Sequence, residues 1–518
     1  MPDSAISADA LGRMLESFLA EFPNAVALQN GELLFDFATA RYSVSGEGKC
    51  VLHLWSDERN TVRRVVAAEA KPRHLRFSVL RFGKSQPETL EIAADRDHRS
   101  AAALRAIRSR YKQILERVLL REFHGCKLES LSNKADLEHS ASPVYTRGVL
   151  RQGQTAFAVL GVSGDETQPS IDAALTFGIL WMHRQREQLA GRSHVVGLRL
   201  FVPAGRNQML RQRIAHLDRD AARWELYSLD ERAETCAPID CVDSGNIATR
   251  LVRAVDAAAA RERFAASIAR IHAIVPDAEP YIESPTEIIF RLHGLEFARA
   301  RLAPVEGSFR NLEAVTFGLW PAEYTLDGSN EAGFRDLVTR LAQRRSPDRD
   351  RADPLFRLCP ERWLESLITR DVRLIDERLD PRFVYSQVPA FASTDRGMID
   401  LLTCTLDGRL AILELKADED IHLPLQGLDY WARVRYHQLD AGFPRHGYFA
   451  GRQLSDAPPL LYLVAPALRT HPATDTLLRY LSPQVQWSVV QIDERWRHGV
   501  HVVNRKHPGG ISVANRSD

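Results

Sequence analysis

The chain is poor in cysteine: six in 518 residues, at positions 50, 126, 236, 241, 359 and 404, with no CxxC or Cys/His pattern among them. That excludes a disulfide framework and a zinc module, reads Cys236 with Cys241 as a coincidence, and makes a reducing cytoplasm the expected compartment. It lacks any apolar run of membrane-spanning length, and its opening residues carry no basic-then-apolar leader pattern; a short amphipathic helix over Ala8 to Phe22 is expected there instead. No membrane partner is expected. Charge of one sign is missing as well. The formal total is +1, which neither demands nor excludes nucleic acid, because a basic groove can be balanced by acids elsewhere.

What is there is ordinary for a soluble chain of several domains: 45% hydrophobic and 26% charged residues. From Gly31 to about Ile92 the sequence alternates as strands do, so residues 1–95 are expected to form a β-rich module. A helix from Ser100 to Glu122, the strands TAFAVLGV, VVGLRLFV and RWELYSL, and a helix over Asp172 to Glu187 fill an expected second domain, 96–273, which closes with a helix from Ile247 to Ala273. A second β-rich module is expected over 274–345. The Pro-containing, charge-alternating stretch Arg344 to Asp353 then marks a boundary before a last domain, 346–518.

Elements recur at an offset of about 254 residues. Glu32-Leu33-Leu34-Phe35 resembles Glu287-Ile288-Ile289-Phe290, and Val159 to His183 lies on Leu413 to His437 without a gap. An internal duplication is the expected reading.

The stretch GMIDLLTCTLDGRLAILELKADED, Gly397 to Asp420, carries the chemistry. Asp407-Gly408 supplies a tight turn between two apolar strands, Gly397 to Thr405 and Leu410 to Lys416, with a further strand expected over Phe383 to Phe391. Alternate strand residues share a face, so Glu414 and Lys416 project together and Asp400 is expected across the hairpin from them. Two close carboxylates repel unless a cation lies between them, and magnesium is commonly held by one or two carboxylates plus a substrate phosphate. Asp400 and Glu414 are therefore the expected ligands of Mg2+ (or Mn2+). Lys416 is expected to position or help deprotonate the attacking water and to offset transition-state charge. Upstream, Pro360 to Ile368 has helical periodicity and places Glu365 beside its apolar stripe, with Glu361 as a competitor for a catalytic role. Downstream, Gln426 and Tyr430 share a helix face as possible phosphate or base contacts, and Arg433 and His437 extend that side as a polar track.

These residues resemble the PD-(D/E)XK nuclease superfamily, in particular its RecB-like and NucS-like branches. Asp400 matches the motif Asp, Glu414-Leu415-Lys416 the ExK, Gln426 to Tyr430 the QxxxY, and Glu365 the upstream helical Glu; Ile399 stands where a proline usually precedes the Asp. The resemblance covers about Asp353 to Glu494. It implies an α/β fold, a restriction-endonuclease-like mixed sheet flanked by helices, and metal-dependent endo- or exonucleolytic cleavage of DNA ahead of RNA. In the first half, Leu160, Val162, Asp172 and Thr176 are expected to replace Glu414, Lys416, Gln426 and Tyr430, with Arg151 near the place of Asp400. That half is thus expected to be a degenerate nuclease-like domain that positions substrate. One live site per chain implies nicking or single-strand cleavage unless the protein forms a homodimer through its live halves; a helicase-type enzyme is the other expected partner. The competing expectation is a non-cleaving nucleic-acid-binding scaffold with a residual nuclease fold.

Overall fold

The computed structural model describes residues 7–29, 32–37, 40–46, 50–56, 60–80, 87–94, 101–136, 142–242, 249–304, 311–319, 323–349, 352–389 and 397–513. The chain is mixed α/β and divides into two compact units, Met1–Ile214 with Arg219–Asp243, and Ala215–Asp218 with Ser244–Asp518. Among the described residues no helix is long and apolar enough to cross a membrane.

The first unit opens with the helix Ala8–Glu21, started by Ser7, whose hydroxyl accepts the Ala10 amide at 3.2 Å. Leu11, Leu15 and Phe18 recur at helical spacing and bury against Phe35, Leu52, Leu54, Phe77 and Leu90 of a seven-stranded antiparallel sheet. The helix Ala101–Glu122 follows, one residue inside the expected span, whose first residue, Ser100, lies outside the described residues. It packs Tyr111, Ile114, Leu115 and Val118 onto a second, six-stranded sheet. That sheet runs Lys127–Ser132, Tyr145–Gln152 and Thr155–Val162 as an antiparallel meander. It then continues through His194–Pro203 and Arg223–Asp230 in parallel, and ends with the antiparallel Thr235–Ile239.

The helix expected from Ile247 to Ala273 is shorter and broken. Ile247 and Ala248 lie outside the described residues, residues 249–256 are not helical, and Asp256 caps a helix that begins at Ala257 by accepting the Ala258 and Ala259 amides. At Phe264, whose side chain is fully buried, this helix gives way to a second, Ala265–Ile274. Ile271 and Val275 join Ile288, Phe290, Phe297 and Phe334 in the core of a five-stranded antiparallel sheet, Glu279 to Thr325. The two β-rich modules therefore differ in strand number and order, despite the likeness of Glu32–Phe35 to Glu287–Phe290.

The charged stretch from Arg344 to Asp353, expected to separate domains, lies inside the second unit; residues 350 and 351 are outside the described residues. Arg345 has no exposed surface, and its guanidinium donates to the carbonyls of His293 (2.9 Å), Leu355 (2.6 Å), Leu358 (2.6 Å) and Cys359 (3.3 Å). The composition of a linker here encodes a clamp.

Beyond it come the helix Pro360–Arg370 and the antiparallel strands Tyr385–Pro389, Met398–Cys404 and Leu410–Leu415, residues 390 and 391 of the first expected strand lying outside the described residues. The helix Leu423–Leu439 then crosses to Leu460–Pro466, which runs parallel to Leu410–Leu415, and Gln486–Ile492 continues in parallel. Val502–His507 and Gly510–Val513 close the sheet antiparallel. Trp363, Leu364, Leu401, Leu413, Val464 and Val490 form its buried centre.

The two mixed sheets share one connectivity over six strands, the second adding Gly510–Val513 at its edge, but the gapless overlay does not hold. Leu160 lies opposite Leu200, as Glu414 lies opposite Leu463. A Cβ on Gly178 would meet Leu198 and Leu200 at 2.8 and 2.9 Å, and one on Gly427 would meet Leu463 at 2.7 Å and Leu461 at 3.1 Å. In each unit a glycine lets the crossover helix approach the same place on the parallel strand. Matching Gly178 to Gly427 moves the helix by five residues, and the extra chain forms the short helix Gln168–Asp172. The counterparts of Gln426, Tyr430 and Arg433 are therefore Phe177, Trp181 and Arg184, in place of the expected Asp172 and Thr176. Likewise Arg147, which pairs with Leu160, takes the position of Asp400, while Arg151 pairs with Ala156.

Candidate active site

The strand Leu410–Leu415 is buried along its whole length, between an antiparallel and a parallel neighbour. Leu401 stands opposite Leu413, so one more step of that register sets Asp400 opposite Glu414. There the carboxylate substitutes for a main-chain acceptor: Asp400 Oδ2 takes the Leu415 amide at 2.8 Å. Glu414 is 1% exposed, and Lys416, two residues on, brings Nζ to 3.4 Å from Glu414 Oε1 and 3.6 Å from Asp420 Oδ2.

Glu365 enters from the helix Pro360–Arg370. It is 3% exposed because its apolar neighbours Trp363, Leu364 and Ile368 seat that helix against the sheet. It reaches Asp400 through Gln387, whose Nε2 donates to Glu365 Oε2 at 2.7 Å and to Asp400 Oδ1 at 3.4 Å. Arg362 lies 3.2 Å and Arg291 3.9 Å from Glu365, and the Arg291 guanidinium stacks 3.7 Å from the centre of the Tyr281 ring. Glu361 instead accepts the Ala417 amide at 3.4 Å.

Gln387 was not legible in the sequence, where it is one polar residue in a short strand. Its φ of 54° is left-handed, between the register pairs Ser386–Leu401 and Val388–Ile399. Such a conformation costs roughly 1–3 kcal/mol and accompanies an amide held between two acids. Arg291 and Tyr281 come from the five-stranded sheet, so no local spacing announced them either.

Gln426 donates to the Tyr430 hydroxyl at 3.2 Å, so the helix face they were expected to share is present. Burial raises the Tyr430 phenol pKa, and the neighbouring charges of Glu414 and Asp400 raise it further. Arg433 and His437 do not form an open track. Arg433 is 3% exposed and donates to the Asp429 carbonyl at 2.8 Å, while His437 is half-buried and 2.9 Å from the Thr249 hydroxyl.

Charge at the centre is poorly balanced. Burial raises the pKa of Glu414 well above the ordinary carboxylate value, and Asp400 adds to the rise. Asp400 and Glu365 are raised too, in each case first by burial. For Lys416 burial pulls the pKa down, but the charges of Glu414, Asp420 and Asp400 outweigh it, so the net shift is upward.

These donors fit a hard divalent cation. Glu414 Oε2 is buried without a hydrogen-bond partner, and it belongs to a carboxylate pair whose ionised form nothing nearby fully neutralises. Among the described residues no three His, Cys, Asp or Glu side chains converge, so two carboxylates would leave the remaining positions to water and phosphate.

No protein family matches the chain, and no curated protein or solved structure matches it either.

Proposed function

We propose that the second unit is a metal-dependent nuclease of the PD-(D/E)XK type, hydrolysing phosphodiester bonds in DNA ahead of RNA. The observation that carries this reading is the buried Asp400/Glu414 pair with its unpartnered Glu414 Oε2 and the Lys416 ammonium beside it. Asp400 and Glu414 would hold Mg2+ or Mn2+, which supplies an activated water and a positive charge against the phosphate. Water oxygen adds to phosphorus, the bond to one ester oxygen breaks, and that oxygen leaves with a proton.

The chain's own groups complete the arrangement. Lys416 offsets charge gathering on the phosphoryl oxygens. Glu365 acts through Gln387, fixing the Asp400 carboxylate while its own charge is held by Arg362 and Arg291. Gln426 and Tyr430 offer hydrogen bonds beside the carboxylates.

The test is cleavage of labelled single-stranded, double-stranded and flapped DNA and of RNA, with magnesium, manganese or EDTA, by the parent protein and Lys416→Ala. Cleavage that needs metal and falls at least a hundredfold in the variant is expected, in the range of removing one charge-stabilising donor, about 10²–10³. Equal DNA binding by both proteins with no cleavage under any metal would instead favour the non-cleaving scaffold.

A further inference from the structure

The first unit repeats the sheet but inverts the charge of the site. Arg147 occupies the register position of Asp400, opposite Leu160, and Val162 stands in line with Lys416. From the crossover helix, Phe177, Trp181 and Arg184 replace Gln426, Tyr430 and Arg433. No carboxylate remains on the strand.

Arg147 is 7% exposed. One side of its guanidinium donates to the Lys134 carbonyl, and it lies 5.9 Å from the Trp181 ring, whose indole N–H is anchored on the Gly148 carbonyl at 2.8 Å. Its Nη1 is buried without a hydrogen-bond partner. Arg184 pairs with Asp136 at 2.9 Å, yet its Nε is likewise buried and unpartnered, and the side chain is 27% exposed, which makes it the open side of the cluster. Burial lowers the pKa of Arg147, and Arg184 pushes it further down, against the pull of Asp136. Leaving a buried guanidinium N–H unpaired is costly, and an oxyanion with several acceptor lone pairs is the group that relieves it. Beside the guanidiniums, Phe177 stacks on Tyr145 at 4.8 Å between ring centres, next to Trp181 along the helix.

We propose that this cluster, Arg147 and Arg184 flanked by Trp181 and Phe177, is a metal-independent binding site for a phosphate ester. Arg147 anchors the phosphoryl oxygens and Arg184 closes over them from the rim. The anion chemistry stands on these side chains alone; assigning the phosphate to a nucleic-acid strand rests on the nuclease reading of the second unit.

The experiment uses the full chain carrying Lys416→Ala, in EDTA, with and without Arg147→Gln or Arg184→Gln. Inorganic phosphate is titrated against chloride at equal ionic strength while melting is followed, and fluorescent single-stranded DNA is titrated by anisotropy. Phosphate should raise the melting temperature of the Lys416→Ala chain beyond chloride, and both arginine variants should lose that shift. DNA binding should weaken about tenfold in Arg184→Gln, with a salt dependence shallower by about one charge. A phosphate effect without any change in DNA binding would support the anion site and assign it to a free phosphate or nucleotide. Should the arginine variants lose DNA binding while metal-supplied parent protein cuts nothing, the site stands and the nuclease reading falls. Absence of a phosphate-specific shift in the Lys416→Ala chain overturns the proposal. So does full retention of the phosphate shift and of DNA binding in Arg184→Gln, whose rim position spares the fold.

Discussion

At Glu414 a carboxylate sits almost wholly out of water with Oε2 unpartnered, and its pKa is raised first by burial and then by Asp400. A raised acid binds protons more tightly in the folded state. Its contribution to stability is present below the unfolded carboxylate pKa and is lost as pH rises through the folded value. Glu414→Gln should therefore melt higher than the parent in EDTA, by a few degrees for roughly 1–2 kcal/mol. The gap should widen from about pH 4 to pH 8, measured by calorimetry, and, on the nuclease reading, shrink when magnesium is added. A gap independent of pH would mean the carboxylate is not the source. Asp400→Asn should gain less, because Asp400 Oδ2 already accepts the Leu415 amide. At this scale the sequence was informative for Asp400, Glu414, Lys416, Gln426 and Tyr430, which lie on two adjacent strands and the next helix. It was silent on Gln387 and Arg291, which reach the cluster through a left-handed backbone and from a separate sheet.

Elements meet the site through devices that the pattern of apolar residues does not reveal. The helix bearing Glu365 is preceded by Cys359, whose φ of 45° is left-handed, and Arg345 ties the carbonyls ahead of the helix to the His293 turn. Arg345→Met would fill much of the same volume while leaving four carbonyls short of a donor. A loss of about 3 kcal/mol is expected, read as a lower denaturant midpoint at unchanged slope; on the nuclease reading, cleavage should fall in parallel as Glu365 loses its seat. A loss below about 0.5 kcal/mol would show the clamp to be incidental. The crossover helices show the complementary case. Periodicity located both of them, but only the contacts of Gly178 and Gly427 set their register against the sheet, which is why Asp172 and Thr176 were matched in error.

Across the whole molecule, two sheets that share their connectivity over six strands differ in what they present: a carboxylate pair and an ammonium in the second unit, two guanidiniums and aromatic rings in the first. Among the described residues, one such carboxylate pair occurs per chain on the two equivalent sheets. On the nuclease reading, supercoiled plasmid should accumulate as nicked circle before any linear form appears, as followed on agarose at limiting enzyme. Linear product rising from the first time point, and quadratically with protein concentration, would instead indicate two chains acting together.

The sequence by itself determined the α/β class, the hairpin that carries Asp400 and Glu414, and the spacing that puts Lys416 and the Gln426/Tyr430 face nearby. Those are consequences of period-two and period-3.6 patterns and of one tight turn, all of which act over a few residues. Tertiary structure decided the rest. It drew the β-rich sheet and the charged stretch into the same unit as the site, took Arg433 out of solvent and left His437 half-buried, and set Arg147 rather than Arg151 opposite Leu160. Each of these depends on which distant surfaces bury one another, and burial between segments far apart in the chain leaves no periodic trace in either.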